Sequence, residues 1–257
     1  MTIRNAHTRS PMTPMRKTAL VAGVLYLITF VTPIPAVAFY DKVLHNHAYV
    51  LGAGPDGGVV WGALLEVILG FAGIGTAVVL YPVAKRYSET AALGFVAARV
   101  IETAMIFVGV ISLLSVSTLR QSVAGTAGAD AGALVTAGHS LVALHNWTLL
   151  LGPGVIPAVN ALCLGYVMYR SGLVPRIIPT IGLIGAPILL ASATAALFGA
   201  WAQFSTPAGL LAFPIALWEF SLGAWMTVKG FRTPEAPSDA TPTPVRHVEQ
   251  SPLTSVA

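Results

Sequence analysis

Six stretches of this chain are long, apolar and nearly free of charge: residues 18–39, 59–83, 90–117, 149–169, 177–201 and 207–228. A helix rises about 1.5 Å per residue, so about 20 residues bridge a hydrocarbon layer about 30 Å thick. Inside such a layer the backbone must satisfy its own polar groups, which leaves only helices and closed barrels, and runs of this length suit helices. The expectation is an all-α polytopic transmembrane bundle of about six spans. Composition agrees, because 9% of the residues are charged where a soluble domain carries about 25%.

Lysine and arginine accumulate in loops that are not translocated, so their distribution predicts sides. With the N-terminus inside, Arg4, Arg9, Arg16, Lys17, Lys85, Arg86, Arg170, Arg176, Lys229, Arg232 and Arg246 are cytoplasmic. Only Lys42 and Arg120 then lie outside, and Arg99 falls within a span. The sequence thus predicts a multi-pass protein of the inner (plasma) membrane with both termini in the cytoplasm. The formal charge of +4 is a topology signal: the basic residues flank apolar runs and form no patch with interleaved aromatics, so no nucleic acid is expected. Aromatic rings favour the headgroup level, and Tyr40, Trp61, Trp147 and Trp201 are placed there on the outer side, with Tyr81, Tyr87, Tyr166 and Tyr169 on the inner.

The organisation expected is a basic segment 1–17, a membrane domain 18–229, and a Pro-, Thr- and Ser-rich tail 230–257 with too little apolar surface to fold. The moderately apolar stretch 128–147 lies between Arg120 and Arg170, which require an odd number of crossings between them. It is read as a re-entrant or interfacial segment before the fourth span. The start of the chain has features of a signal peptide, with an apolar run 19–31, then Pro33 and Pro35, then Ala36-Val37-Ala38. The basic segment before it is long, and five more spans follow, so the first span is expected to be retained.

The run Arg16-Lys17-Thr18-Ala19-Leu20-Val21-Ala22-Gly23-Val24-Leu25-Tyr26-Leu27 leads into Pro33, with Glu66 in the second span and Arg99-Val100-Ile101-Glu102 in the third. This pattern resembles a bacterial membrane family called domain of unknown function 4386, over roughly residues 16–230. The resemblance implies a multi-span inner-membrane protein with an uncleaved first helix, and it brings no activity, substrate or catalytic residues.

An ionisable side chain deep in a bilayer costs about 3 kcal/mol on insertion scales, so its presence needs a reason. Glu66, Arg99, Glu102 and Glu219 are such residues and are the candidates for a substrate or proton site. Gly62, Gly70 and Gly73 share the helical face of Glu66, which turns that face toward neighbouring helices. Arg99 and Glu102 share a face of the third span. Measured from the expected outer helix ends, Glu66 and Glu102 lie about 10–12 Å deep and Arg99 and Glu219 about 17–18 Å deep, so one connected cluster is feasible. Two readings stay open: a binding or proton site, or an ion-pair network that fixes helix register.

Asp41, His45 and His47, with His139 and His145 further on, carry donor groups suited to zinc or copper. His-x-His alone is weak, so His45 and His47 are weak candidates, and no metal and no cofactor are expected. Paired interruptions at Thr32-Pro33-Ile34-Pro35 and Gly152-Pro153-Gly154 suggest a three-plus-three inverted repeat, in which Glu102 and Glu219 would correspond. Asn160, Cys163, Ser192, Thr194 and Ser221 are small polar groups suited to helix contacts. There is no phosphate-binding Gly-rich loop with Lys, no Gly-x-Ser-x-Gly elbow and no Gly-x-Gly-x-x-Gly turn. A membrane-embedded binding or regulatory partner is the leading expectation, with the bilayer and a protein partner or second copy as its contacts. A small-solute or proton-coupled transporter comes second, and a membrane enzyme without a recognisable motif third.

Overall fold

A computed structural model describes residues 12–54, 56–123 and 130–232. The expected disordered tail from 233 onward, and Arg4, Arg9 and Arg246, lie outside the described residues. Among the described residues the chain is all helix: α1 (Pro14–Val31), α2 (Pro33–His45), a 3-10 turn (Tyr49–Leu51), α3 (Gly57–Ala84), α4 (Glu89–Val123), α5 (Ala131–Leu151), α6 (Ile156–Ser171), α7 (Ile177–Leu197) and α8 (Thr206–Val228). Six of its helical stretches are long and apolar enough to cross a membrane, and the protein is a multi-pass membrane protein.

Local chemistry sets the helix ends. Asp56 accepts from Gly58 N–H at 2.9 Å to cap α3, and Asp130 accepts from Gly132 and Ala133 N–H at 2.9 and 3.1 Å to cap α5. Thr13 caps α1 just before Pro14, where a missing N–H costs nothing. Gly172, at φ 66°, closes α6 in a conformation that side chains avoid. Pro33 lacks the N–H needed to continue α1, and the chain restarts there as α2.

Six helices close a ring in the order α1, α3, α4, α6, α7, α8 and back to α1. Each runs antiparallel to the next. Leu25 packs at Gly75, Thr103 at Gly70, Cys163 at Gly94, Leu183 at Gly165, Trp218 at Gly182, and Tyr26 at Gly223. Small residues let the backbones approach, which is how helices gain contact where water cannot drive them together. All six helices feed one core that includes Tyr26, Leu80, Phe95, Leu164, Met168, Trp218, Leu222 and Met226.

The end of the ring that carries Arg16, Lys85, Arg170 and Lys229 is its basic end. At the other end α4, with 35 residues, is about 52 Å long and overshoots a hydrocarbon layer by roughly 20 Å. Alongside this excess lie α2, α5 and the start of α3, around a second core of Tyr40, Val43, Tyr49, Val59, Leu113 and Val116. Arg120 ties this cap together by donating to the carbonyls of Tyr49, Ala53 and Gly54 at 3.0–3.2 Å.

Two expectations change here. Of the two readings of the stretch 128–147, re-entrant or interfacial, the first does not hold over the described residues, because α5 never doubles back. It descends antiparallel beside α4 and continues as α6: His145 and Thr148 lie against Gly109, Gly152 against Met105, Asn160 against Glu102, Cys163 against Gly94. The reason is the unbroken length of α4, which offers one surface to both. The helix breaks occur as expected, at Thr32 and at 152–155. They lie 18 and 16 residues from the basic end along α1 and α6, so they sit at similar height on one side, whereas an inverted repeat places them on opposite sides.

Candidate functional site

The four intramembrane charges form two separate groups. Arg99, 4% exposed, donates from Nη1 to Glu102 Oε2 and from Nη2 to Glu219 Oε1, each at 2.9 Å. Glu102 follows from the i,i+3 spacing on α4; Glu219 arrives across the ring on α8. Asn160 Nδ2 of α6 donates to the same Glu102 Oε2 at 2.8 Å. The guanidinium lies over the rings of Tyr26 at 5.2 Å and Phe95 at 5.7 Å. Four helices therefore meet at one cation, within the ring's main core. Two carboxylates thus face one guanidinium.

Glu66 stands apart, one helical turn further toward the cap. It is 8% exposed, and Tyr40 Oη donates to its Oε2 at 3.0 Å. Gly62 makes the slot for that tyrosine, since a Cβ there would lie 2.5–2.8 Å from the ring. Tyr40 is thus buried against α3 and does not serve as an outward headgroup anchor; Trp61 and Trp147 are 58% and 51% exposed. His145 meets the Tyr40 ring edge-on at 5.7 Å, and its Nδ1 lies 3.3 Å from the Gly109 carbonyl oxygen.

These groups border a cavity of about 240 Å³ between α2, α3, α5, α7 and α8, at the height of both helix breaks. Its walls are mainly apolar, with Val37, Leu69, Leu149, Leu189 and Phe204 among them, and Glu66 is its acidic group. The α7–α8 loop closes over one side. With its amide turned to satisfy both partners, Gln203 donates to the Asn146 carbonyl at 3.2 Å and accepts from Leu150 N–H at 3.1 Å. The helix breaks explain why space remains, because neither α1–α2 nor α5–α6 carries a continuous side-chain ladder through this level.

Tyr40 and Gln203 are site residues that sequence reasoning missed, and His145, named there only among possible metal donors, joins them. One signal was available for Tyr40: Gly62 and Glu66, four apart on one helical face, leave a slot ending in a carboxylate that a phenol fills. Tyr40→Phe should leave Glu66 without its donor and lower stability by about 1–3 kcal/mol. Thermal unfolding in one detergent measures this, and a loss under about 0.5 kcal/mol would mean that the hydroxyl does not hold the carboxyl.

The histidines separate as well. His45 Nδ1 is 3.1 Å from Asp41 Oδ1 on an exposed edge of α2, His145 faces the cavity, and His47 meets His139. Among the described residues no group of three or more His, Cys, Asp or Glu could hold a metal ion.

No curated protein and no solved structure matches the chain. A family profile does, over residues 21–230, which takes in most of α1 and the other five ring helices with Glu66, Arg99, Glu102 and Glu219. The chain belongs to the family described as Domain of unknown function (DUF4386).

Proposed function

We propose that the protein is a membrane-embedded binding protein, whose ligand is a small amphipathic molecule with a cationic or hydrogen-bond-donating head. The observation that carries this reading is the cavity with one buried carboxylate on a mainly apolar wall. A few polar groups in an apolar pocket are what orient small ligands. At about 240 Å³ the cavity is below the range of about 300–1,000 Å³ used by drug-sized ligands, which favours a compact amine. Glu66 Oε2 is held by Tyr40, which leaves Oε1 to meet the head group. The basic end lies in the cytoplasm of a bacterial inner membrane on this reading, because the lysine and arginine asymmetry favours that side.

Transport ranks second. Between the cavity and the basic end the ring is filled by Arg99, Tyr26, Phe95 and Trp218, so a path through the protein would require this plug to open. The test uses the full chain in nanodiscs and a series of small hydrophobic amines, read by tryptophan fluorescence. Saturable binding is expected, weakened about tenfold or more by Glu66→Gln and by Leu189→Trp, which fills the cavity. Binding that is indifferent to both changes would sink the proposal. Amine flux into proteoliposomes, lost with Glu66→Gln, would move transport to first place.

A further inference from the structure

We infer that His47 and His139 form a two-histidine site for a divalent transition metal, with copper or nickel favoured over zinc. The two residues are 92 positions apart, yet His47 Nδ1 stands 2.8 Å from His139 Nε2, with ring centroids 4.7 Å apart and planes at 50°. Both are exposed, so an ion can reach them from solvent.

The backbone fixes this meeting. Asn46 Oδ1 accepts from Ala48 N–H at 3.0 Å, turning the chain out of α2 into the 3-10 segment. Gly138 of α5 then packs against Val50, whose side chain lies at ordinary contact distance, 3.4 Å from where a Cβ would stand. His139 follows Gly138 on α5, so the two rings meet on the wall of a cavity of about 360 Å³ that Asn46 and Asn146 also line.

The separation selects the ion. Two nitrogens at right angles about an ion, each at about 2.0 Å, stand about 2.8 Å apart, whereas a tetrahedral angle opens them to about 3.3 Å. The observed 2.8 Å is the length of the hydrogen bond the two rings make and also matches the right-angle edge of square-planar and tetragonal copper and nickel sites, so a small rotation of the rings would bring both lone pairs onto one such ion. Two neutral imidazoles can share one hydrogen between these atoms, but that bond is exposed and contributes little, while a metal uses both lone pairs together. No third His, Cys, Asp or Glu joins them among the described residues, so the remaining positions go to water, with the Asn146 amide oxygen within the same pocket. Such a site is labile, and it clasps the end of α2 to α5 at the cap.

The test uses tag-free full-length protein in detergent, titrated with Cu(II) alone. Electron paramagnetic resonance should report one copper per chain coupled to two imidazole nitrogens. His47→Ala and His139→Ala should each remove one coupled nitrogen and weaken binding at least about tenfold, while His45→Ala leaves the signal unchanged. Size-exclusion profiles of the exposed-site variants verify that they remain folded. A copper signal that persists in the His47→Ala/His139→Ala double variant, or no binding below about 100 μM, would overturn the site.

Discussion

Replacing Glu102 and Glu219 together by leucine is expected to be the most damaging change in the intramembrane charge group, costing about 3–5 kcal/mol or preventing folding altogether. Both carboxylates lie 2.9 Å from Arg99, and their loss strands a guanidinium in the main core. A guanidinium does not give up its proton in a protein, so it can escape only by drawing in water or moving the helix. Arg99→Leu is the milder change, because each carboxyl left behind can take up a proton, and Glu102 keeps its bond from Asn160 at 2.8 Å. Arg99→Leu combined with Glu219→Leu should recover much of what Glu219→Leu alone loses, since buried ion pairs exchange well for apolar side chains of similar size.

Thermal aggregation of the single and double variants in one detergent yields the coupling energies. Arg99 with Glu102 and Arg99 with Glu219 should each couple by more than about 0.5 kcal/mol, and Arg99 with Glu66 should not. Coupling near zero for the first two pairs, or an Arg99→Leu protein less stable than the double carboxylate variant, would rule out the arrangement. The same cycle bears on the order of the functional readings: Glu66 can be tested as a ligand anchor only if its change leaves this group intact.

The bundle was legible because a bilayer leaves few options. Runs of about 20 apolar residues become helices, and their number follows from length; their limits do not, since α4 runs on to Val123 and the fourth span begins as α5 at Ala131. The Arg99 and Glu102 pair was legible from spacing, and Glu219 from depth. The separation of Glu66 from them was not visible in the expected depths, because counting from the expected helix ends puts Glu66 and Glu102 level. What separates them is azimuth: Gly70 and Thr103 bring α3 and α4 together on one line, and Glu66, a turn toward the cap, faces Tyr40. Rotation about the helix axis depends on which small residues meet, and that is a property of pairs of helices. The path of α5 was hidden for a related reason. A stretch of moderate hydropathy reads as interfacial when the length of its neighbour is unknown, and α4 continues unbroken to Val123. The cavity was least legible, since it is the space left where two broken helices fail to fill one level. The meeting of His47 and His139 likewise depends on how the 3-10 segment packs on α5, at Val50 and Gly138, which no local spacing connects.

The crossing of α1 and α8 should tolerate no side chain at Gly23, and Gly23→Ala is expected to cost about 2–3 kcal/mol. The added Cβ would lie 2.6 Å from Thr227 N and 2.7 Å from the Gly223 carbonyl oxygen. These are backbone atoms of α8, so no rotamer change can relieve the overlap and the helices must separate. Separation has a second consequence at the basic end. Arg16 donates to the carbonyls of Met226, Thr227 and Val228 at 3.0, 2.8 and 3.1 Å, satisfying the last turn of α8 from the start of α1. A shift of even half an ångström lengthens bonds that are directional, and a charged donor on open carbonyls contributes more than a neutral one. Gly209→Ala is the control, because it also adds one methyl to a glycine of α8 but meets nothing within 4 Å. It should be neutral or stabilising by up to about 1 kcal/mol through helix propensity. Thermal unfolding of the two variants in the same detergent separates overlap from any general effect of alanine. Equal stability of the two would mean that α1 and α8 do not cross at Gly23, and a low-stability Gly209→Ala would mean that the far end of α8 is packed against something beyond the ring.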